Sequence, residues 1–222
     1  MLFIKMKKIF VIIGSLGIGG TEKQLLMKID YLKKRYDFTL IFFYRKGELL
    51  ESFKKLGINI LDLTDLKKNK ILNYTYAYFK VLSHIKRVKP DIINFYLPHS
   101  YLIFGSMAYF FKKINFIMSR RSLNNYQKKI PFIRFIEKEI LHKKMKFILV
   151  NSNAIKNELI LKEGVIENKI NLIYNSVDLR KNKKIKKNKV IRILHLANLI
   201  PYKNHKLIVR ACNELKHLSN FK

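Results

Sequence analysis

Glycine recurs at positions 14, 17, 19 and 20, directly after the apolar run 9–13 and directly before Thr21 and Glu22. Between a strand and a helix, such a loop offers backbone amides and a helix N-terminus to a phosphate or a sugar hydroxyl. Glycine permits the close backbone approach this needs. Gly19, Gly20 and Thr21 are therefore candidate binding residues; the competing reading is a tight turn with Thr21 as the helix cap. The spacing is not a dinucleotide fingerprint, because counting from Gly17 puts Glu22 where the third glycine belongs. His99 closes another apolar run and is placed to hydrogen-bond a substrate. Arg120 and Arg121 also follow an apolar run and could clamp phosphates, or could form a solvated basic loop. Lys203 stands just before a helical pattern, where a diphosphate could dock beside a helix N-terminus.

These residues fall between alternating elements. Apolar runs at 9–13, 38–44, 58–61, 91–96, 115–118, 147–150 and 170–174 predict strands. Helical patterns fill 21–34, 48–55, 73–89, 100–111, 131–142 and 153–163. Leu25, Leu26, Ile29 and Leu32 share a face of the first helix, Gly57 is placed as a C-cap, and Pro90 stops the third helix. The rhythm predicts an α/β fold, a Rossmann-like parallel sheet with helices on both faces, over 1–178. A stretch of mostly Lys and Asn at 180–189 reads as a solvated linker within 179–189. Beyond it, 190–196 predicts a new strand and 205–218 a new helix, the start of a truncated second α/β domain at 190–222. One strand and one helix cannot bury a core.

The bulk composition sets limits. In 222 residues, 46 Lys and Arg face 15 Asp and Glu, a formal charge of +31. That favours anionic partners: nucleic acid, anionic lipid or phosphorylated small molecules. The abundance of Lys, Asn and Ile also follows from an A- and T-rich coding sequence, so at least half of the charge is read as compositional. Cys212 is the only cysteine, which excludes an intrachain disulfide. Lysines 5, 7 and 8 before the run 9–13 superficially resemble a signal peptide, but the run breaks at once into glycines and reads as a buried strand. The apolar stretch 101–111 is shorter than the roughly 20 residues a bilayer span needs. The expected location is cytoplasmic, with peripheral attachment to the inner face of the membrane as an option.

Further landmarks are Asn151-Ser152, Asn175 to Asp178, and Ala197 to His205. With the glycine loop and His99, in this order and spacing, the chain resembles the retaining GT-B glycosyltransferases of family four over nearly its whole length. The loop resembles that family's Gly-Gly-Thr/Ala-Glu turn. Residues 175–178 resemble its interdomain Asn-Gly-Val-Asp, with Ser176 in place of glycine. Residues 197–205 resemble the opening of its donor domain. The resemblance implies a GT-B N-terminal domain that mainly holds the acceptor and a second domain that mainly holds the sugar nucleotide. It places His99 against the transferred sugar, Gly19 and Gly20 beside donor phosphates or acceptor, and Lys203 on the donor diphosphate. The family's partner arginine falls at Asn198. No metal or cofactor is implied, since lysine and helix amides can stabilise the leaving diphosphate. The expected partners are a nucleotide-sugar donor, a saccharide or lipid-linked acceptor, and an anionic membrane surface. The family's Glu-x7-Glu stretch falls after residue 222, so the chain alone is expected to be inactive.

Two other readings stay open. One is a non-catalytic acceptor-binding subunit that partners a separate donor-domain chain. The other is a basic nucleic-acid-binding protein, for which 180–189 is the best segment; it interleaves lysine with asparagine rather than aromatics, so specific nucleic-acid binding is not expected.

Overall fold

The computed structural model describes residues 6–64, 70–123, 125–177, 193–197 and 199–215. The strands are β1 (Lys7–Ser15), β2 (Tyr36–Arg45), β3 (Asn59–Asp62), β4 (Ile92–Tyr96), β5 (Asn115–Arg120), β6 (Phe147–Val150) and β7 (Ile170–Leu172). They form one sheet of seven strands in the order β3-β2-β1-β4-β5-β6-β7, and every neighbouring pair is parallel. The order reverses between β1 and β4, and such a switch point opens a crevice at the carboxyl ends of the strands.

The connecting helices are α1 (Gly20–Leu32), α2 (Leu50–Lys54), α3 (Lys70–Val88), α4 (Leu97–Phe104), α5 (Asn125–Lys129), α6 (Pro131–Phe135), α7 (His142–Lys144) and α8 (Asn153–Glu163). A π-helical turn, Ile136–Leu141, joins α6 to α7, and a 3-10 turn, Gly105–Tyr109, follows α4. Alternation along β1 supplies both layers of core. Val11 and Ile13 pack with Leu25 and Ile29 of α1 and Phe53 of α2. Phe10 and Ile12 point the other way, towards Val81 and Ile85 of α3, Phe104 of α4 and Leu159 of α8. A strand buried on both faces reads as an unbroken apolar run, which is how β1 is spelled over 9–13 and β2 over 40–43.

The elements differ from the sequence reading mostly at their ends. α4 begins at Leu97 rather than 100 and gives way to the 3-10 turn before 111. The helix expected over 131–142 is interrupted by the π turn, and α5 carried no periodicity that announced it.

Residues Met1–Ser176 form one compact unit and Val177–Lys222 a second. In the second, a 3-10 turn, Pro201–Lys203, leads through Asn204, at φ 51°, into α9 (His205–Glu214). Residues 193–197 carry no strand, contrary to the strand expected over 190–196; 190–192 and the linker 180–189 lie outside the described residues.

Candidate functional site

The glycine loop is shaped from the β2 side. Gly47 has φ 77°, and a β-carbon there would run into the backbone of Leu16 and Gly17. Its absence lets the chain after β2 lie flat against the loop. The Leu49 amide then donates to the Leu16 carbonyl (2.9 Å), and the Ile18 amide donates to Glu48 Oε2 (3.2 Å). Gly19, not Thr21, caps α1: it is extended (φ −137°, ψ 161°), has no side chain to cap with, and its carbonyl accepts from the Lys23 amide (3.0 Å). Thr21 is already inside the first turn. The helix N-terminus thus keeps donors that no side-chain cap consumes.

Glu22 folds back beneath this turn. Burial pushes its carboxyl up, against the lowering effect of its own backbone amide and of Arg45. A β-carbon on Gly19 would collide with that carboxylate, whereas one on Gly20 would meet nothing within 4 Å. The two glycines therefore serve different ends: Gly19 makes room for Glu22, and Gly20 leaves the turn open on its outer side.

β4 delivers His99 to the same edge. Leu97 turns the chain with φ 68°, and the Ser100 hydroxyl donates to the Tyr96 carbonyl (2.6 Å), fixing the first turn of α4. His99 then stands beside Gly14, whose missing β-carbon would lie 3.5 Å from the imidazole Nδ1. Three rings surround it edge-on: Phe43 and Tyr44 of β2, each with centroid 5.5 Å away, and Tyr74 of α3 at 5.3 Å. This enclosure lowers the imidazole pKa, because burial disfavours the charged form. At neutral pH His99 is a neutral ring with one donor and one acceptor nitrogen, suited to hydroxyl groups rather than to an anion.

β5 splits the arginine pair. Arg121 lies with its guanidinium 5.7 Å from the Tyr96 ring centroid, and its Nη1 donates to Asn175 Oδ1 (3.4 Å). Asn175 also accepts from Asn151 Nδ2 (3.4 Å), and the neighbouring Ser176 amide donates to Gln24 of α1 (2.9 Å). Residues 175–176 are thereby drawn to the crevice.

Arg120 points the opposite way and is 1% exposed. Its Nη1 donates to Glu163 Oε1 (2.6 Å) and its Nη2 to Glu137 Oε2 (3.3 Å). Tyr126 donates to Glu137 (2.7 Å), Gln127 donates to both carboxylates, and His142 Nε2 is 2.8 Å from Glu163 Oε2. The expectation of a phosphate clamp therefore reduces to Arg121, because Arg120 is spent on two buried carboxylates. Burial alone would raise Glu163; the His142 hydrogen bond and the Arg120 charge outweigh it and hold the carboxyl below its ordinary value. The same burial pushes Tyr101, whose hydroxyl is 2.8 Å from His142 Nδ1, far up, so it stays a phenol.

Gly19, Gly20, Thr21, His99 and Arg121 thus come to one edge of the sheet, at the ends of β1, β4 and β5. Lys203 belongs to the second unit, exposed in the 3-10 turn one residue before the N-cap of α9. Asn198 lies outside the described residues. Tyr44, Tyr74 and Asn175 join the site without having been singled out for it. Asn175 stood in a recognisable motif, but the tyrosines carried no local signal in so aromatic a chain. Among the described residues no group of three or more His, Cys, Asp or Glu is placed to hold a metal ion.

The family model described as Glycosyltransferase Family 4 matches residues 18–181. Over 224 residues the chain is 23% identical to the N-acetylgalactosamine-N,N'-diacetylbacillosaminyl-diphospho-undecaprenol 4-alpha-N-acetylgalactosaminyltransferase of Campylobacter jejuni, covering 95% of this chain and 60% of that protein. Among solved structures it resembles Anabaena HepE in complex with UDP and glucose, with TM-score 0.63 and 17% identity, over 78% of this chain and 45% of that one. It also resembles the UDP-GlcNAc 2-epimerase of Methanocaldococcus jannaschii, with TM-score 0.55 and 17% identity, over 76% of this chain and 45% of that one. Likeness at such identity shows the fold alone. The chain spans only part of each relative's length.

Proposed function

The chain belongs to the family described as Glycosyltransferase Family 4, and from that premise we propose that its crevice serves the acceptor side of sugar transfer from a nucleotide-sugar donor. The observation that carries this reading is His99, a neutral imidazole at the switch point beside the glycine loop. A neutral ring can accept from one sugar hydroxyl and donate to another without a fixed charge to desolvate. The N-terminus of α1 and Arg121 supply the positive potential that a phosphate at the rim needs. The acceptor is a saccharide or a lipid-linked saccharide; support for the lipid-linked class comes from the Campylobacter relative, which is named for a diphospho-undecaprenol-linked acceptor. The transfer retains anomeric configuration, with Lys203 on the donor diphosphate, and proceeds at the membrane's inner face.

The chain spans 60% of that relative, so the test measures acceptor binding alongside transfer. It uses a panel of sugar nucleotides with free and polyprenyl-diphosphate-linked saccharides, product mass spectrometry and nuclear magnetic resonance of the new linkage. The expected result is retained-configuration transfer, or saturable saccharide binding where no transfer occurs, reduced at least about 100-fold (transfer) or 10-fold (binding) by His99→Ala. Neither transfer nor saccharide binding, or sequence-selective nucleic-acid binding in their place, overturns the reading.

A further inference from the structure

One face of the molecule, remote in kind from the crevice, combines exposed rings with clustered lysines. α3 runs for 19 residues without a single Asp or Glu. Its inner face is spelled by Ala77, Val81 and Ile85, all fully buried. Its outer face carries Leu72, Tyr76 and Phe79, which are 59%, 45% and 61% exposed and spaced i, i+4, i+7 along one stripe. Lys80 lies 5.2 Å from the Tyr76 ring centroid, so a cation already flanks the stripe. At the other end of the helix a groove of about 500 Å3 opens between α3 and the chain after the 3-10 turn. Lys86, Lys89, Lys112 and Lys113 line it together with Phe110, which is 69% exposed. Asp91, the one acid in its lining, is already engaged by the Lys8 amide (2.8 Å).

We propose that this α3 face docks on an anionic lipid bilayer, with Leu72, Tyr76 and Phe79 entering the headgroup boundary and the groove lysines holding lipid phosphates. An aliphatic and aromatic stripe edged by lysines has the chemistry of a helix that lies in the interface. A groove in which four lysines face one carboxylate selects for negative lipid. Among the described residues no helix is long and apolar enough to cross a membrane. Docking in this pose has a consequence for the crevice. Tyr74 sits on the same helix and packs on His99 at 5.3 Å, so a helix lying in the interface holds the His99 edge at headgroup level. That consequence rests on the proposed acceptor function; the docking itself does not.

The test is co-sedimentation of the 222-residue chain with vesicles of phosphatidylcholine alone and of phosphatidylcholine with phosphatidylglycerol. The wild type binds the second and not the first. Leu72→Ser/Tyr76→Ser/Phe79→Ser and, separately, Lys86→Gln/Lys112→Gln/Lys113→Gln each lower the partition coefficient at least about tenfold. A control with equal charge loss elsewhere, Lys34→Gln/Arg35→Gln/Lys55→Gln, binds within about twofold of wild type. All the altered side chains are exposed, and unchanged thermal melts show that the variants fold. Wild-type binding by the apolar triple variant, or an equal loss in the control, overturns the proposal. So does a wild-type dimer in light scattering that the apolar triple variant dissociates, because the face then mates with a second copy. A folded chain that binds vesicles yet neither binds nor transfers sugar would count against the acceptor function alone.

Discussion

His99 and Glu163 are both titratable and both enclosed, yet their surroundings push them in opposite chemical directions. Around His99 the described residues place rings and a glycine, and this burial lowers its pKa below 6.5. A histidine whose folded value lies below its unfolded one costs the fold nothing above the ordinary range. It destabilises the fold as pH falls below that range, where the unfolded chain takes up the proton first. Resolved imidazole resonances are expected to show His99 titrating at lower pH than an exposed histidine. Phe43→Ala, by admitting water, should move it back up. Glu163 is the reverse case, held below 4.5 by the His142 hydrogen bond and Arg120 against the burial that opposes them. Its contribution is present above the unfolded value and is lost as pH falls through the folded one. Removing the guanidinium is the sharper test: Arg120→Met leaves Glu137 and Glu163 buried without it and is expected to cost about 3–5 kcal/mol in urea denaturation at neutral pH. Double replacement with Glu163→Gln should recover part of that loss.

At the scale of elements, Gly47 and Gly20 bear on the β1–α1 turn in different ways. Gly47→Ala meets both a left-handed φ of 77° and the Leu16 backbone. It is expected to destabilise by about 1–3 kcal/mol or more in denaturant titration, since strain and collision act together. Gly20→Ala adds a methyl group to open space in the first turn of α1 and should leave the melting temperature unchanged or slightly raised. If Gly20 faces a ligand, the same variant loses affinity while gaining stability, a separation that binding and melting curves read directly. The π turn between α6 and α7 has a visible correlate: it carries Glu137 into the Arg120 network from a segment whose neighbours are helical. It marks where the helix yields to a buried ion pair.

The whole molecule carries +31, and that charge has a general effect separate from the crevice. Mixed-sequence duplexes are expected to bind the chain with one common affinity that falls steeply as salt rises, because counterion release is blind to sequence. Competition between unrelated duplexes measures this. A strong preference for one of them would move weight to the nucleic-acid reading.

The alternation of apolar runs and helical patterns determined the parallel α/β fold, because strands buried on both faces and amphipathic helices leave distinct periods. All seven strands were placed to within a few residues. The glycine loop and His99 were legible because a βα turn at the carboxyl end of a strand has a local spelling. What the tertiary structure decided was everything that depends on which way a side chain leaves its strand or which distant residue meets it. Arg120 and Arg121 are identical in type and adjacent in sequence, and the pleat sends one into a buried network and the other to the rim. Glu137 and Glu163 lie far from Arg120 along the chain and meet it only in the folded protein, where His142 in turn bonds Glu163. The rings around His99 come from β2, which lies across β1 from β4 in the sheet, and from α3, which packs over it. A sequence records local period directly; it records such meetings only through the fold that closes them.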